Sequence, residues 1–377
     1  MSTLITAIMI ILGFWAIISI LGATVLKGKE GVEIAPFQLL WRTKKFLNFI
    51  DNVGSKHRGF WKFYGDLGII VGFVGSIVVF AYFIKQTLLI LFPPAPQQPL
   101  PSVQLVIPGI TIPLGYGLLG LAVVIIVHEL SHGFLARAEN LSLKSVGLVL
   151  FFVIPGAFVE PDEEELKRAP LRSRLRVFGA GSMANIITGL VALILMSVVG
   201  LAFVPGGIVV GGVIKDSPAD GVLKPGDVIV EINGHPVPTL EDFIEVMNKT
   251  KPEEVITLTV LRDNERINIS LKLSQHPGNP EKGFIGMYPG QNIDSRIGLK
   301  TPLLVLFLSL YWIYVLNIGI GLMNLFPLIP LDGGRMIMDT LKEFLPEKPA
   351  KVIGYSIMGI GLILLGINIV VAIRGMI

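Results

Sequence analysis

The chain has 377 residues, 52% of them hydrophobic, and a mean hydropathy of +0.71. That is the composition of a protein that crosses a membrane several times and has room for one domain outside it. A formal charge of +3 is too slight to suggest a nucleic-acid partner, and the absence of cysteine excludes disulfides and thiolate metal ligands.

Six apolar stretches are long enough to span, at about residues 4–26, 67–91, 114–135, 177–203, 302–325 and 352–373. The first has no basic region ahead of it and is long enough to span, so it is expected to remain as a span and not to be cleaved as a signal. Lys85, within the second, either snorkels outward or faces the bundle. Basic residues set the orientation. Lys27, Lys29, Arg42, Lys44, Lys45, Lys56, Arg58 and Lys62 separate spans one and two. Lys167, Arg168, Arg172, Arg174 and Arg176 precede or open span four, and Arg335, Lys342 and Lys348 follow span five. The Pro-rich stretch 93–113 carries no charge. The basic loops are therefore expected in the cytosol, with both termini and residues 204–300 on the opposite side.

In span three the apolar run 118–127 ends in His128-Glu129-Leu130-Ser131-His132. Ionisable groups at membrane depth are costly and point to function. The spacing H-E-x-x-H places two imidazoles one helical turn apart, where both can reach one Zn²⁺ with a glutamate beside it. The plainer alternative is a helix re-entering water through three polar residues. Span five runs in the same direction and ends Asn324-Leu-Phe-Pro-Leu-Ile-Pro-Leu-Asp332-Gly333-Gly334. Asp332 is thus expected at the depth of the histidine pair, as a third ligand that leaves one tetrahedral position open. Pro327 and Pro330 would stop the helix, and Gly333-Gly334 would allow a sharp turn after Asp332. The alternative there is an Asp-Gly-Gly turn that merely caps the next helix.

Residues 206–275 change character, with acids outnumbering bases and period-two patterns replacing long apolar runs. Strands are expected at 208–215, 228–232, 255–261 and 266–273, with turns at Asn233-Gly234 and Asp263-Asn264. Thr239 can cap a helix reaching about Met247. Residues 276–301 read as a linker. The string Gly-Val-Ile-Lys-Asp-Ser-Pro-Ala-Asp-Gly-Val-Leu-Lys-Pro-Gly-Asp-Val-Ile-Val-Glu-Ile-Asn-Gly (212–234) resembles the PDZ family. The likeness implies capture of an extended peptide or a free carboxyl terminus at a sheet edge; a folded spacer with an empty groove is the alternative.

The polytopic part resembles the site-2 proteases, zinc metalloproteases that cut peptide bonds inside membranes. The likeness covers roughly 114–203 and 302–340, around the inserted domain. Its most specific elements are His128-Glu-Leu-Ser-His-Gly133 and Asn324 to Gly333, which fits N-x-x-P-x-x-x-x-D-G. Residues 151–160 and Phe178-Gly-Ala-Gly-Ser-Met-Ala-Asn185 resemble the branch holding the archaeal enzymes and the animal enzyme that processes membrane-bound transcription factors. Ser182 departs from the proline that many members carry there.

The resemblance implies a polytopic α-helical membrane protein of about six transmembrane helices with an inserted α+β PDZ domain. The divisions would be an N-terminal pair of spans (1–113), core halves at 114–203 and 302–377, the PDZ domain (206–275) and the linker (276–301). It implies Zn²⁺ on His128, His132 and Asp332, Glu129 as general base, and a membrane-protein substrate cleaved within its transmembrane helix, in regulated intramembrane proteolysis at a cell membrane. Asn185 and Asn324 would hold the substrate or polarise its carbonyl, or else act as interhelical glue. Residues 146–159 would form a re-entrant β-segment turning at Pro155-Gly156. Two competing readings remain: a membrane zinc protease that cuts soluble segments, and a membrane-anchored PDZ scaffold with an inactive core. The intact Glu129 argues against the scaffold.

Overall fold

The computed structural model describes residues 3–24, 31–93, 103–151, 154–263 and 265–374. The expectations that involve Lys27, Lys29, residues 94–102, Phe152, Val153 and Asn264 lie outside the described residues. The chain divides into two units, Met1–Leu195 with Leu308–Ile377, and Met196–Phe307.

In chain order the first stretch gives α1 (Thr3–Thr24), β1 (Val32–Ala35), β2 (Gln38–Thr43), α2 (Leu47–Lys56), α3 (Arg58–Leu91) and α4 (Leu114–Ala138). Next come β3 (Leu143–Phe151), β4 (Ile154–Pro161), α5 (Glu163–Arg168) and α6 (Leu171–Gly200). The inserted stretch holds β5 (Phe203–Val213), β6 (Val228–Ile232), β7 (His235–Pro236), α7 (Leu240–Met247), β8 (Val255–Arg262) and β9 (Glu265–Lys272). It continues through β10 (Ser274–His276), β11 (Asn279–Phe284) and β12 (Met287–Ser295). The remaining helices are α8 (Lys300–Asn324), α9 (Asp332–Phe344) and α10 (Glu347–Arg374).

Among the described residues five helices are long and apolar enough to cross a bilayer: α3, α4, α6, α8 and α10. They coincide with five of the expected spans, and α1, a 22-residue helix, stands at the sixth. Large apolar side chains remain on outward faces, such as Ile70, Val74 and Ile77 on α3 and Ile360 and Ile363 on α10. Hydrocarbon can solvate such faces, while the helices satisfy their own backbone groups.

The second span is not a detached anchor. Gly68 of α3 meets Gly179 of α6 backbone to backbone, so closely that a Cβ on Gly68 would lie 3.2 Å from the Gly179 carbonyl oxygen. Charges lock the same ends together. Asp66 accepts hydrogen bonds from Arg172 (2.9 Å) and Arg176 (2.7 Å), and Arg176 also donates to Glu139 at 2.7 Å. Paired in this way, a carboxylate as enclosed as Glu139 avoids the cost of an isolated buried charge.

A four-stranded antiparallel sheet, in the order β1-β2-β3-β4, lies in this unit. The expected β-segment is present as β3 and β4, but its turn is elsewhere. Phe151 pairs with Ile154, and Pro155 and Gly156 sit inside β4 opposite Leu150 and Val149. Two further strands come from the basic loop after α1, where Gln38–Thr43 runs antiparallel along β3.

The second unit is built on the sheet order β12-β5-β6-β8-β9, with β7 beside β6. Alternate residues Ile208 and Val210, and Ile256, Leu258 and Val260, are fully buried, as period-two side-chain placement requires. Thr239 caps α7 through a reciprocal box: its hydroxyl accepts the Asp242 N–H, and the Asp242 carboxylate accepts the Thr239 N–H, each at 3.1 Å. Residues 276–301 are not a linker: they carry β11 and β12, and β12 pairs with β5 from Met287↔Val213 to Ser295↔Phe203. The sequence disguises this strand with Pro289, Gly290 and a register shift between Tyr288 and Pro289.

Candidate metal centre

α4 brings His128 and His132 onto one face, with their Nε2 atoms 3.1 Å apart. Asp332, the first residue of α9, extends its Oδ2 to 3.4 Å from His128 Nε2 and 3.5 Å from His132 Nε2. A tetrahedral Zn²⁺ held at about 2.0–2.1 Å from each ligand sets ligand–ligand separations of roughly 3.3–3.4 Å, so the three atoms have the spacing of such a set. Asp332 Oδ2 is also buried with no hydrogen-bond donor, a cost that a cation removes. Two imidazole nitrogens and a carboxylate fit zinc by type as well as by spacing.

The rings are held from behind. His132 Nδ1 lies 2.7 Å from the Val177 carbonyl oxygen, which can only accept, so Nδ1 carries the proton and Nε2 keeps its lone pair. His128 Nδ1 lies 3.1 Å from the side-chain amide of the fully buried Asn185, whose Oδ1 as placed has no partner. With the amide turned over, Oδ1 accepts the His128 Nδ1–H. Of the two roles the sequence leaves open to Asn185, substrate contact or an interhelical polar contact, this geometry is of the second kind, since the amide on α6 meets an imidazole on α4. Asn324 is the half-buried last residue of α8.

Close backbone packing makes room for these groups. A Cβ on Gly181 of α6 would lie 2.6 Å from His128 Cε1 and 2.7 Å from His128 Nδ1, and would also press on His132 Nε2. At Gly334 it would lie 2.7 Å from the Leu328 carbonyl oxygen, and Gly333 is packed as tightly on Leu325 and Phe326. Gly333 and Gly334 therefore make no sharp turn. They form the first turn of α9 and let it rest on the preceding loop, which fixes Asp332. Tyr64 adds a cross-tie from α3: its hydroxyl donates to the Ala180 carbonyl (3.1 Å) and accepts from Ser131 (3.2 Å). Gly181, Tyr64 and Val177 were not picked out as site residues from sequence, because each acts through backbone contact or a common residue type. Glu129, next to the first imidazole, accepts the Val159 N–H of β4 at 3.0 Å.

Two imidazoles from one span and a carboxylate from the short helix that follows another, with a glutamate alongside, define a metallopeptidase centre within a membrane protein. The chain belongs to Peptidase family M50, whose sequence profile matches residues 116–367. It is 29% identical over 313 residues to an uncharacterized protein of Methanocaldococcus jannaschii, covering 83% of this chain and 80% of that one. It is 30% identical over 175 residues to the membrane-bound transcription factor site-2 protease homolog of Arabidopsis thaliana, covering 45% of this chain and 31% of the plant protein. A solved PDZ domain of an SdrC-like protein from Listeria innocua matches at 26% identity and a TM-score of 0.21, covering 23% of this chain and 96% of that domain. Further relatives are named zinc metalloproteases. The protein is an integral membrane zinc metalloprotease with an inserted α+β domain.

Proposed function

We propose that this protein is an intramembrane endopeptidase that cleaves transmembrane segments of membrane-protein substrates, in regulated intramembrane proteolysis. The observation that carries the reading is the approach of Asp332 to the His128–His132 pair from a separate, distant part of the bundle. His128, His132 and Asp332 hold the zinc, which when bound acidifies water and stabilises negative charge on a carbonyl oxygen. Glu129 takes the proton from the attacking water and later delivers it to the departing nitrogen.

A peptide bond inside a helix is shielded, so the substrate must unwind before attack. β4 is an edge strand of its sheet, and the Val159 N–H points away from β3 towards Glu129. Ala157 has the same parity and so faces the same open edge. An extended substrate segment added there would pass the general base. Asn324 holds the unwound segment or its carbonyl. The basic loops lie in the cytosol, and the inserted domain, on the other side of a cell membrane, binds a peptide or carboxyl terminus. The cleft between α7 and the free edge strand β12, lined by Phe243, Ile244, Met247, Met287 and Pro289, suits such a ligand.

The test is a cleavage-site map of a single-span substrate in reconstituted membranes, with Glu129→Gln as control. Product ends within the hydrophobic span support the proposal. Ends confined to soluble flanks would transfer it to a membrane protease acting outside the bilayer. Bound zinc with no cleavage of any candidate would leave a scaffold.

A further inference from the structure

The short helix α2 uses one face on the catalytic helix. Ile50, fully buried, sits on Gly133, where a Cβ would lie 2.9 Å from Ile50 Cγ2. Asp51 accepts a 2.6 Å hydrogen bond from Arg137. Beside this contact Phe46 and Phe49 remain exposed, as do Phe60 and Phe63 at the start of α3. Ring contacts run from Phe49 to Phe134 (6.0 Å), to Trp61 (4.9 Å), to Phe60 (5.1 Å), so these side chains form one continuous surface.

Between residues 44 and 63 stand five cations, Lys44, Lys45, Lys56, Arg58 and Lys62, and one acid, Asp51. That acid is already engaged by Arg137. Lys62 approaches Glu139 at 4.0 Å. Lys44, Lys45, Lys56 and Arg58 are exposed and make no ion pair among the described residues. Exposed aromatic rings interleaved with unpaired cations match the boundary between acyl chains and headgroups, where rings sit in the apolar edge and cations meet phosphate.

We propose that residues 44–63 form a seat for anionic phospholipid headgroups, which hold α2 against the back of the H-E-x-x-H helix. The net charge of the surface selects an anionic lipid over a zwitterionic one, and the aromatic rings fix its depth. Ile50 on Gly133 transmits that anchorage to the residue following His132. This inference needs the chain to be membrane-embedded and does not depend on where substrates are cut.

The test uses the full chain in bilayer nanodiscs of phosphatidylcholine with a minority of phosphatidylglycerol, followed by exchange into phosphatidylcholine micelles and mass spectrometry of the retained lipid. The wild type is expected to retain phosphatidylglycerol at least about fivefold over its bulk fraction, the factor for roughly 1 kcal/mol from one engaged Lys or Arg. The combined substitution K44Q/K45Q/K56Q/R58Q removes the preference. High salt removes it from the wild type, a readout that does not depend on the variant folding. Retention at the bulk ratio by the wild type, or a preference that survives both treatments, overturns the proposal. So does efficient cross-linking between copies through Phe49→Cys in this cysteine-free chain, which would assign the surface to a second copy.

Discussion

Replacing Asn185 with Leu separates two roles that its position allows. Leu has the same number of side-chain heavy atoms and the same branch point, so the contact with Gly321 of α8 through Cβ is kept while the hydrogen-bonding amide disappears. His128 Nδ1–H, 3.1 Å from that amide, is then buried without an acceptor. An orphaned buried donor costs about 1–3 kcal/mol, which corresponds to roughly 5- to 150-fold in an equilibrium constant. The proton on Nδ1 is the one that leaves Nε2 free, so the cost falls on zinc binding, and removing such supports typically weakens metal affinity by about 10–100-fold. Chelator competition on purified protein, with the Co²⁺ spectrum as a check on ligand geometry, should show a loss in that range. Asn185→Asp, which still offers an acceptor, should stay within about threefold of wild type. If both variants bind zinc normally and instead raise KM, Asn185 contacts substrate and the argument from His128 fails.

Glu129→Gln should lower cleavage by about 10²–10⁴-fold with full zinc content; loss of zinc in this variant would make Glu129 a ligand instead of a base. Gly181→Ala should bind zinc substoichiometrically because the rings must move, whereas Ser182→Ala, which deletes a buried hydroxyl without a partner, should bind it normally. In the inserted domain, hydrogen bonds from Arg262 to Asp227, one at 2.6 Å, hold the Asp227 carboxyl below its ordinary range. A depressed folded-state pKa contributes stability above the unfolded value, near 3.8, that is lost as pH falls below it. Hydrogen-exchange protection across β6 and β8, taken relative to the intrinsic rate at each pH, should therefore fall below about pH 4, and Arg262→Met should weaken that dependence, the bond from the Lys224 N–H to Asp227 remaining. Converting Gly, Pro or Asn near a substrate's cleavage point to Leu should slow its cleavage, by about fivefold for a glycine worth roughly 1 kcal/mol of helix propensity; equal rates would count against unwinding as a requirement.

What could be read from sequence was local. The one-turn separation of His128 and His132 is set by helix geometry alone, and Asp332 could be matched to them because the pattern of basic loops predicts two spans that run the same way and end at the same depth. The strands of the inserted domain repeat every second residue, and Thr239 states its cap three residues ahead of Asp242. Non-local pairing hid the rest. Nothing in Gln38–Thr43 names β3 as its neighbour, since strands pair through backbone groups that every residue possesses. Pro289 and Gly290, residues that strands usually avoid, hide β12 and give 276–301 the look of a linker. The family resemblance implies a hairpin turn at Pro155-Gly156, yet pairing with Leu150 and Val149 keeps both in β4.

The glycines show most clearly where residue type misleads. Gly333-Gly334 suggested a turn, because glycine's freedom at positive φ is its best-known property, but here the missing side chain matters and the freedom does not. α9 starts where it does because its first turn can touch Leu325 and Leu328 directly, and that contact aims Asp332 at the imidazoles. Gly68 against Gly179 does the same for α3 and α6, one turn from Tyr64 and its bond to Ala180. The second span, which carries no family signature, is therefore joined to the helix that supports both histidines through Val177 and Asn185. A larger residue at Gly68 should then disturb zinc binding although it lies on a helix that supplies no ligand. If Gly68→Val reduced zinc affinity no more than a matched change on the lipid-facing side of α3, such as Val74→Leu, this account of the span would be wrong.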